Sequence, residues 1–117
     1  MINKLIRIVS CLIILFGIIH IGFASPFYAD TDTLWFVGAG MAIIFAGLLN
    51  FIAIDRGGSR FSITIAVITN AMNCAGFCFA LPILNQPQVY VGIIIFIITT
   101  VGFLIGLIKH SKKQGSR

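Results

Sequence analysis

Four apolar runs, Leu5 to Phe23, Leu34 to Ile54, Phe61 to Leu81 and Val89 to Ile108, occupy most of this chain of 117 residues. At 1.5 Å rise per residue, about 20 helical residues cross a hydrocarbon core of ~30 Å, so each run reads as a transmembrane helix. Only 9% of the residues are charged, against about 25% in soluble domains, which excludes an ordinary water-soluble fold. The expectation is an all-α integral membrane protein, one up-and-down bundle of four transmembrane helices over residues 1–117. What remains is short loops and a basic tail, 109–117, with no room for a second domain.

The connections carry turn chemistry. Ala24 to Thr33 brings Pro26, Asp30 and Asp32 together, with Phe27, Tyr28 and Trp35 at interfacial depth. Asp55 to Arg60 is a tight loop with two glycines, and Pro82 to Gln88 is an uncharged turn bracketed by two prolines. All eight Lys and Arg residues (Lys4, Arg7, Arg56, Arg60, Lys109, Lys112, Lys113, Arg117) then fall on one side of a four-span chain. The positive-inside rule predicts both termini in the cytoplasm of a bacterial inner membrane, with the Asp30 and Asp32 loop facing outward. That use of the net charge of +5 replaces nucleic-acid binding as its explanation. The tail also offers anionic lipid about 1 kcal/mol per basic residue. A cleaved signal peptide is the competing reading of the first run, since Met1 to Arg7 resembles an n-region and Gly22 to Ala24 a small-residue cleavage site. Charge does not separate the two, because the remaining basic residues stay on the same side either way.

Helices in lipid associate through small and weakly polar residues at spacing 3 and 4. The first run carries such a line at Ser10, Ile13, Gly17, His20 and Ala24. The third carries Ser62, Ala66, Thr69, Asn73, Gly76 and Ala80, and the fourth Gly92, Ile95, Thr99, Gly102 and Gly106. The second has two candidate ridges, Gly38-Ala42-Ala46-Asn50 and Gly40-Ile43-Gly47-Asn50, which both end at Asn50. Gly102 and Gly106 form a GxxxG pair that serves either packing within the bundle or a homodimer.

Few polar groups sit inside the runs, and they are the candidate site residues: His20, Asn50, Asn70 and Asn73, joined at the outward end by Trp35, Asp30 and Asp32. His20 lies about 4 to 5 Å inside the end of its run. It is either a loop-pinning residue bonded to Asp30 or Asp32, or a group that handles a ligand or proton. Asn70 and Asn73 lie near mid-membrane at the level of Thr99 and Thr100. An unpaired amide there costs several kcal/mol, so bonds between helices are the economical use, with a polar cavity as the alternative. Cys74 and Cys78 are four apart on one helix and read as small packing residues. His20 and Cys78 do not make a metal site, and His110 lies beyond the opposite face, so neither metal nor haem is expected. No cofactor and no catalytic set is expected.

Size and span number are those of small multidrug transporters, but the membrane glutamate on which their coupling depends is missing, since the chain has no Glu. Disulfide-forming four-helix oxidoreductases are excluded likewise by the lack of CxxC. Gly17-Ile-Ile-His20, Leu34-Trp35-Phe36 with Gly38 and Gly40, and Gly47-Leu-Leu-Asn50 resemble the first hairpin of small bacterial four-helix membrane proteins of the DoxX-like group. The resemblance covers mainly residues 5–54 and implies the four-helix fold and no activity. The functional expectation is a binding or interaction component with a site for a small apolar ligand or a partner helix at the outward end. Two alternatives are a membrane enzyme with His20 as general acid or base oriented by Asp30 or Asp32, and a small dimeric transporter with a polar path along Asn50, Asn70, Asn73 and Thr99.

Overall fold

The structure, a computed structural model, describes residues 2–55 and 58–115, and of 110 and 112–115 the backbone alone. Among these residues the chain forms four helices: α1 (Ile2–Gly22), α2 (Thr31–Ile54), α3 (Arg60–Ala80) and α4 (Pro87–Gly115). All four contain a stretch long and apolar enough to cross a membrane, and they form an all-α multi-pass bundle. The basic residue Arg56, the side chains of His110, Lys112 and Lys113, and Arg117 lie outside the described residues.

The helix ends differ from the apolar runs because capping, not hydrophobicity, decides them. α2 starts three residues before its run: Asp30 takes an extended conformation and accepts the Thr33 N–H at 2.7 Å. Ser59 does the same for α3, accepting the Ser62 N–H at 3.0 Å. α4 begins on Pro87, whose fixed φ and missing N–H suit a first helical position. Its helix continues through Lys109 to Gly115, so the tail extends α4. Between α2 and α3 the chain reverses at Gly58, where φ is +47° and a Cβ would collide with the Ala53 carbonyl oxygen.

Successive helices are antiparallel neighbours in the order α1, α2, α3, α4, with α4 returning to α1. The tightest pairs are the two hairpins, α1 with α2 and α3 with α4, while the seams between hairpins are thinner. Across the diagonals only side chains meet, as Phe16 of α1 and Phe77 of α3 do.

The first hairpin is closed by glycine. A Cβ on Gly17 would stand 2.8 Å from the Gly40 carbonyl oxygen, one on Gly40 would stand 2.9 Å from the Gly17 carbonyl oxygen, and one on Gly47 3.1 Å from that of Ser10. The two backbones therefore lie close enough that a Cβ would crowd both the opposite carbonyl oxygen and an isoleucine side chain, Ile44, Ile21 or Ile14, the small-residue contact expected in lipid. This decides the α2 ridge: Gly40, Ile43, Gly47 and Asn50 are buried, whereas Gly38 and Ala42 are exposed. The α1 line is confirmed, with Ser10, Ile13, Gly17 and Ala24 buried and His20 half-buried.

On α3 the expected line is off by part of a turn. Ile63, Ala66 and Asn70 are the buried residues there, and of the expected set only Ala66 is buried, while Gly76 is exposed. On α4, Gly92 and Thr99 are buried as expected, but the rest of the buried line is Val89, Phe96 and Phe103. Gly102 faces Ile6 of α1, whose side chain would be 3.1 Å from an added Cβ, whereas a Cβ added to Gly106 would meet no neighbouring element within 4 Å among the described residues.

Two apolar clusters fill the interior. Ile6, Ala53, Ile54, Ile63, Ala66 and Phe103 pack near the Gly58 loop, and Val9, Ile13, Ile43, Ala46 and Phe96 pack in the middle.

Candidate functional site

Two polar features lie in the bundle. The first is a knot where α2, α3 and α4 meet. Asn50, Asn70 and Thr99 are each fully buried. The Asn50 Nδ2 donates to Asn70 Oδ1 at 3.2 Å and the Asn70 Nδ2 donates back to Asn50 Oδ1 at 2.6 Å. Thr99 Oγ1 donates to the same Asn70 Oδ1 at 3.1 Å, and Asn70 Nδ2 also reaches the Ala66 carbonyl at 2.6 Å. Burial makes each of these bonds expensive to lose, since no water is at hand to replace it. A reciprocal amide pair leaves little of Asn70 open to a ligand: both its polar atoms are engaged by the protein.

Asn73 does not join the knot. Its Nδ2 donates to the Thr69 carbonyl of its own helix at 2.9 Å, and its side chain is half-buried on the α3 flank. The candidate path Asn50, Asn70, Asn73 and Thr99 is thus split: three of the four bond one another and the fourth turns aside. Thr100 likewise donates back to the Phe96 carbonyl at 2.7 Å.

The second feature is His20, in the last turn of α1 at the opposite end of the bundle from Gly58. The half-buried ring is enclosed by Phe36 of α2, centroids 5.3 Å apart, and Phe16 of α1, centroids 6.3 Å apart. Its Nδ1 is buried with no hydrogen-bond partner among the described residues. From Phe16 the aromatic contacts continue to Phe77 of α3 at 5.8 Å and on to Phe96 of α4 at 5.9 Å. Gly92 makes room for Phe77, because a Cβ there would stand 2.7 Å from that ring. A row of rings therefore runs from the α1–α2 edge, through His20, to the fully buried Phe96.

Neither aspartate of the loop turns to His20. Asp30 is exposed and committed to the α2 cap, and Asp32 is exposed in the first turn of α2. Thr33, through its backbone N–H first and its side chain second, holds the Asp30 carboxyl below the usual aspartate range. The Asp–His pair required for an oriented general base is not formed among the described residues. Trp35 is 72% exposed and directed away from the bundle, as befits an interfacial aromatic, so Phe36 and not Trp35 walls the histidine. An open depression of about 540 Å³ beside it, lined by Tyr28, Ala29, Asp30, Thr31, Thr33, Leu34 and Val37, includes Asp30 and neither His20 nor Trp35.

The residues that sequence reasoning missed are Phe16, Phe36 and Phe77. Phe16 carried a signal, standing four residues before His20 on one helix face. Phe36 and Phe77 are two of the chain's eleven phenylalanines, and composition does not distinguish a ring facing histidine from one facing lipid. No protein-family model matches the chain, and neither a curated protein nor a solved structure matches it.

Proposed function

We propose that the chain is a non-enzymatic binding component of a bacterial inner membrane, with both termini in the cytoplasm and a site at its outward end for a small apolar ligand carrying one hydrogen-bonding group. The observation that carries this reading is the buried, unpartnered Nδ1 of His20 between two phenylalanine rings. Apolar walls with a single convergent polar atom are the makings of a small-ligand site, and an unsatisfied buried nitrogen costs about 1–3 kcal/mol that a ligand group would recover. The orientation rests on the basic residues, all eight of which fall on one side of a four-span chain. The DoxX-like resemblance of residues 5–54 agrees with the fold and adds no activity. A partner helix carrying the same polar group is the alternative occupant of the site.

The test uses the full chain in liposomes and a short alkyl alcohol bearing a diazirine. The expected result is saturable photolabelling of peptides from α1 and the start of α2, competed by the unlabelled alcohol and lost in His20→Phe. Labelling that does not saturate, or that His20→Phe leaves unchanged, refutes the ligand site. Activity abolished in His20→Ala but retained in His20→Asn, once an activity is in hand, excludes acid–base chemistry at this residue.

A further inference from the structure

The line on α3 that fits no interior position has its own chemistry. Thr69, Asn73, Gly76 and Ala80 recur at spacing 4, 3 and 4, the repeat of a left-handed helix–helix seam, on the flank of α3 beside its core line. A Cβ added to Gly76 would meet no neighbouring element within 4 Å among the described residues. The α2 side of this seam is open as well: Ala39 and Ala42 continue the buried line of Ala46, Asn50 and Ala53 at heptad spacing, yet both are exposed.

The decisive group is the Asn73 amide. It lies seven residues from Ala80, hence about 10 Å inside the end of the helix and within hydrocarbon. Its Nδ2 is bonded to the Thr69 carbonyl, while its Oδ1 accepts no hydrogen bond among the described residues. An amide oxygen facing lipid costs several kcal/mol, and any donor for it must sit in the membrane at the same depth. A primary amide is donor and acceptor at once, so it is complementary to itself. A second copy in the same topology, related by a two-fold axis along the membrane normal, brings its own Asn73 to that depth, and Gly76 one turn away permits the close approach the bond needs.

We propose that this α3 flank seats a second copy of the chain, the two Asn73 amides bonding each other across a seam of Thr69, Gly76 and Ala80. The GxxxG of α4 is a poorer interface, because Gly102 is already confronted by Ile6 within the chain and neither glycine offers a polar side chain.

The test is disulfide cross-linking of the full chain in liposomes after Cys11, Cys74 and Cys78 are replaced by Ala. Gly76→Cys is expected to give dimers on mild oxidation, and Gly102→Cys and Gly106→Cys are not. In a lipid-dilution energy-transfer series, Asn73→Leu should weaken association about threefold to twentyfold, the range of one interhelical hydrogen bond, and Asn73→Gln should restore most of it. Helicity stays unchanged in both, since Asn73 bonds only its own helix. Cross-linking at 102 or 106 without 76, a monomer at every dilution, or association untouched by Asn73→Leu overturns the proposal.

Discussion

Replacing Asn70 by Leu tests whether the three-helix knot holds the hairpins together. The substitution removes both amide bonds to Asn50 and the bond from Thr99. It also strands the Asn50 side chain, which is fully buried. Two interhelical bonds at about 0.6 kcal/mol each, plus an orphaned amide at about 1–3 kcal/mol, give a loss of about 2–4 kcal/mol. Thr99 is spared, because its hydroxyl keeps the Ile95 carbonyl at 2.9 Å. Asn50→Leu should cost less, about 1–2 kcal/mol, since Asn70 then retains the Thr99 hydroxyl and the Ala66 carbonyl. In the double variant no amide is orphaned and the shared bonds are lost only once, so it should be more stable than the sum of the single losses requires, by about 2–4 kcal/mol. Steric trapping in bicelles measures all four free energies. Equal single-variant losses, or additivity within about 0.5 kcal/mol, would refute the reading of the knot as one coupled unit.

Three further outcomes follow from the same packing. Gly17→Ala should destabilise the first hairpin by about 1–3 kcal/mol, because its methyl would stand 2.8 Å from the Gly40 carbonyl oxygen, and Gly76→Ala should leave monomer stability unchanged; thermal unfolding in detergent compares the two. His20→Phe should raise stability in the same assay, as it removes the unpartnered nitrogen while keeping a ring between Phe16 and Phe36, and a loss of stability would show that Nδ1 has a structural partner. The Asp30 carboxylate caps α2, and its pKa is depressed in the fold, so the contribution is complete above the ordinary aspartate pKa and is lost as pH falls through the lower folded value. Amide exchange at Thr33 should accelerate in that acid range, and Asp30→Asn, whose oxygen also accepts the bond, should abolish the pH dependence.

How much of this was legible in the sequence depends on which physical quantity the sequence encodes. Run length fixes the number of spans, because the bilayer has one thickness, while the boundaries drifted where Asp30 and Pro87 start helices ahead of the apolar residues, where α1 begins already at Ile2, and where the basic tail prolongs α4 to Gly115. The α1 line was readable because Ser10, Gly17 and Ala24 are its small residues and all are buried. On α2 both ridges reached Asn50, and the Gly17–Gly40 contact, a property of two helices together, was needed to choose between them. On α3 periodicity placed Asn73 and Ala66 on one line. Only the position of α2 and α4 shows that Asn70 and not Asn73 faces inward. The His20 neighbourhood was the least legible part: the sequence offered charged partners nearby in the loop, and the helix cap claimed Asp30 first.

The knot lies near the Gly58 end of α2, whereas His20 meets Phe36 fourteen residues further along that helix, an arm of about 21 Å. The amide pair is the polar member of a longer seam, since one apolar cluster near the Gly58 loop and another in the middle also join the two hairpins. Because His20, Phe16 and Phe36 all belong to the first hairpin, a substitution at Asn70 that loosens the hairpins from each other should change the separation of Phe16 from Phe77 and leave the spacing of His20 and Phe36 unchanged.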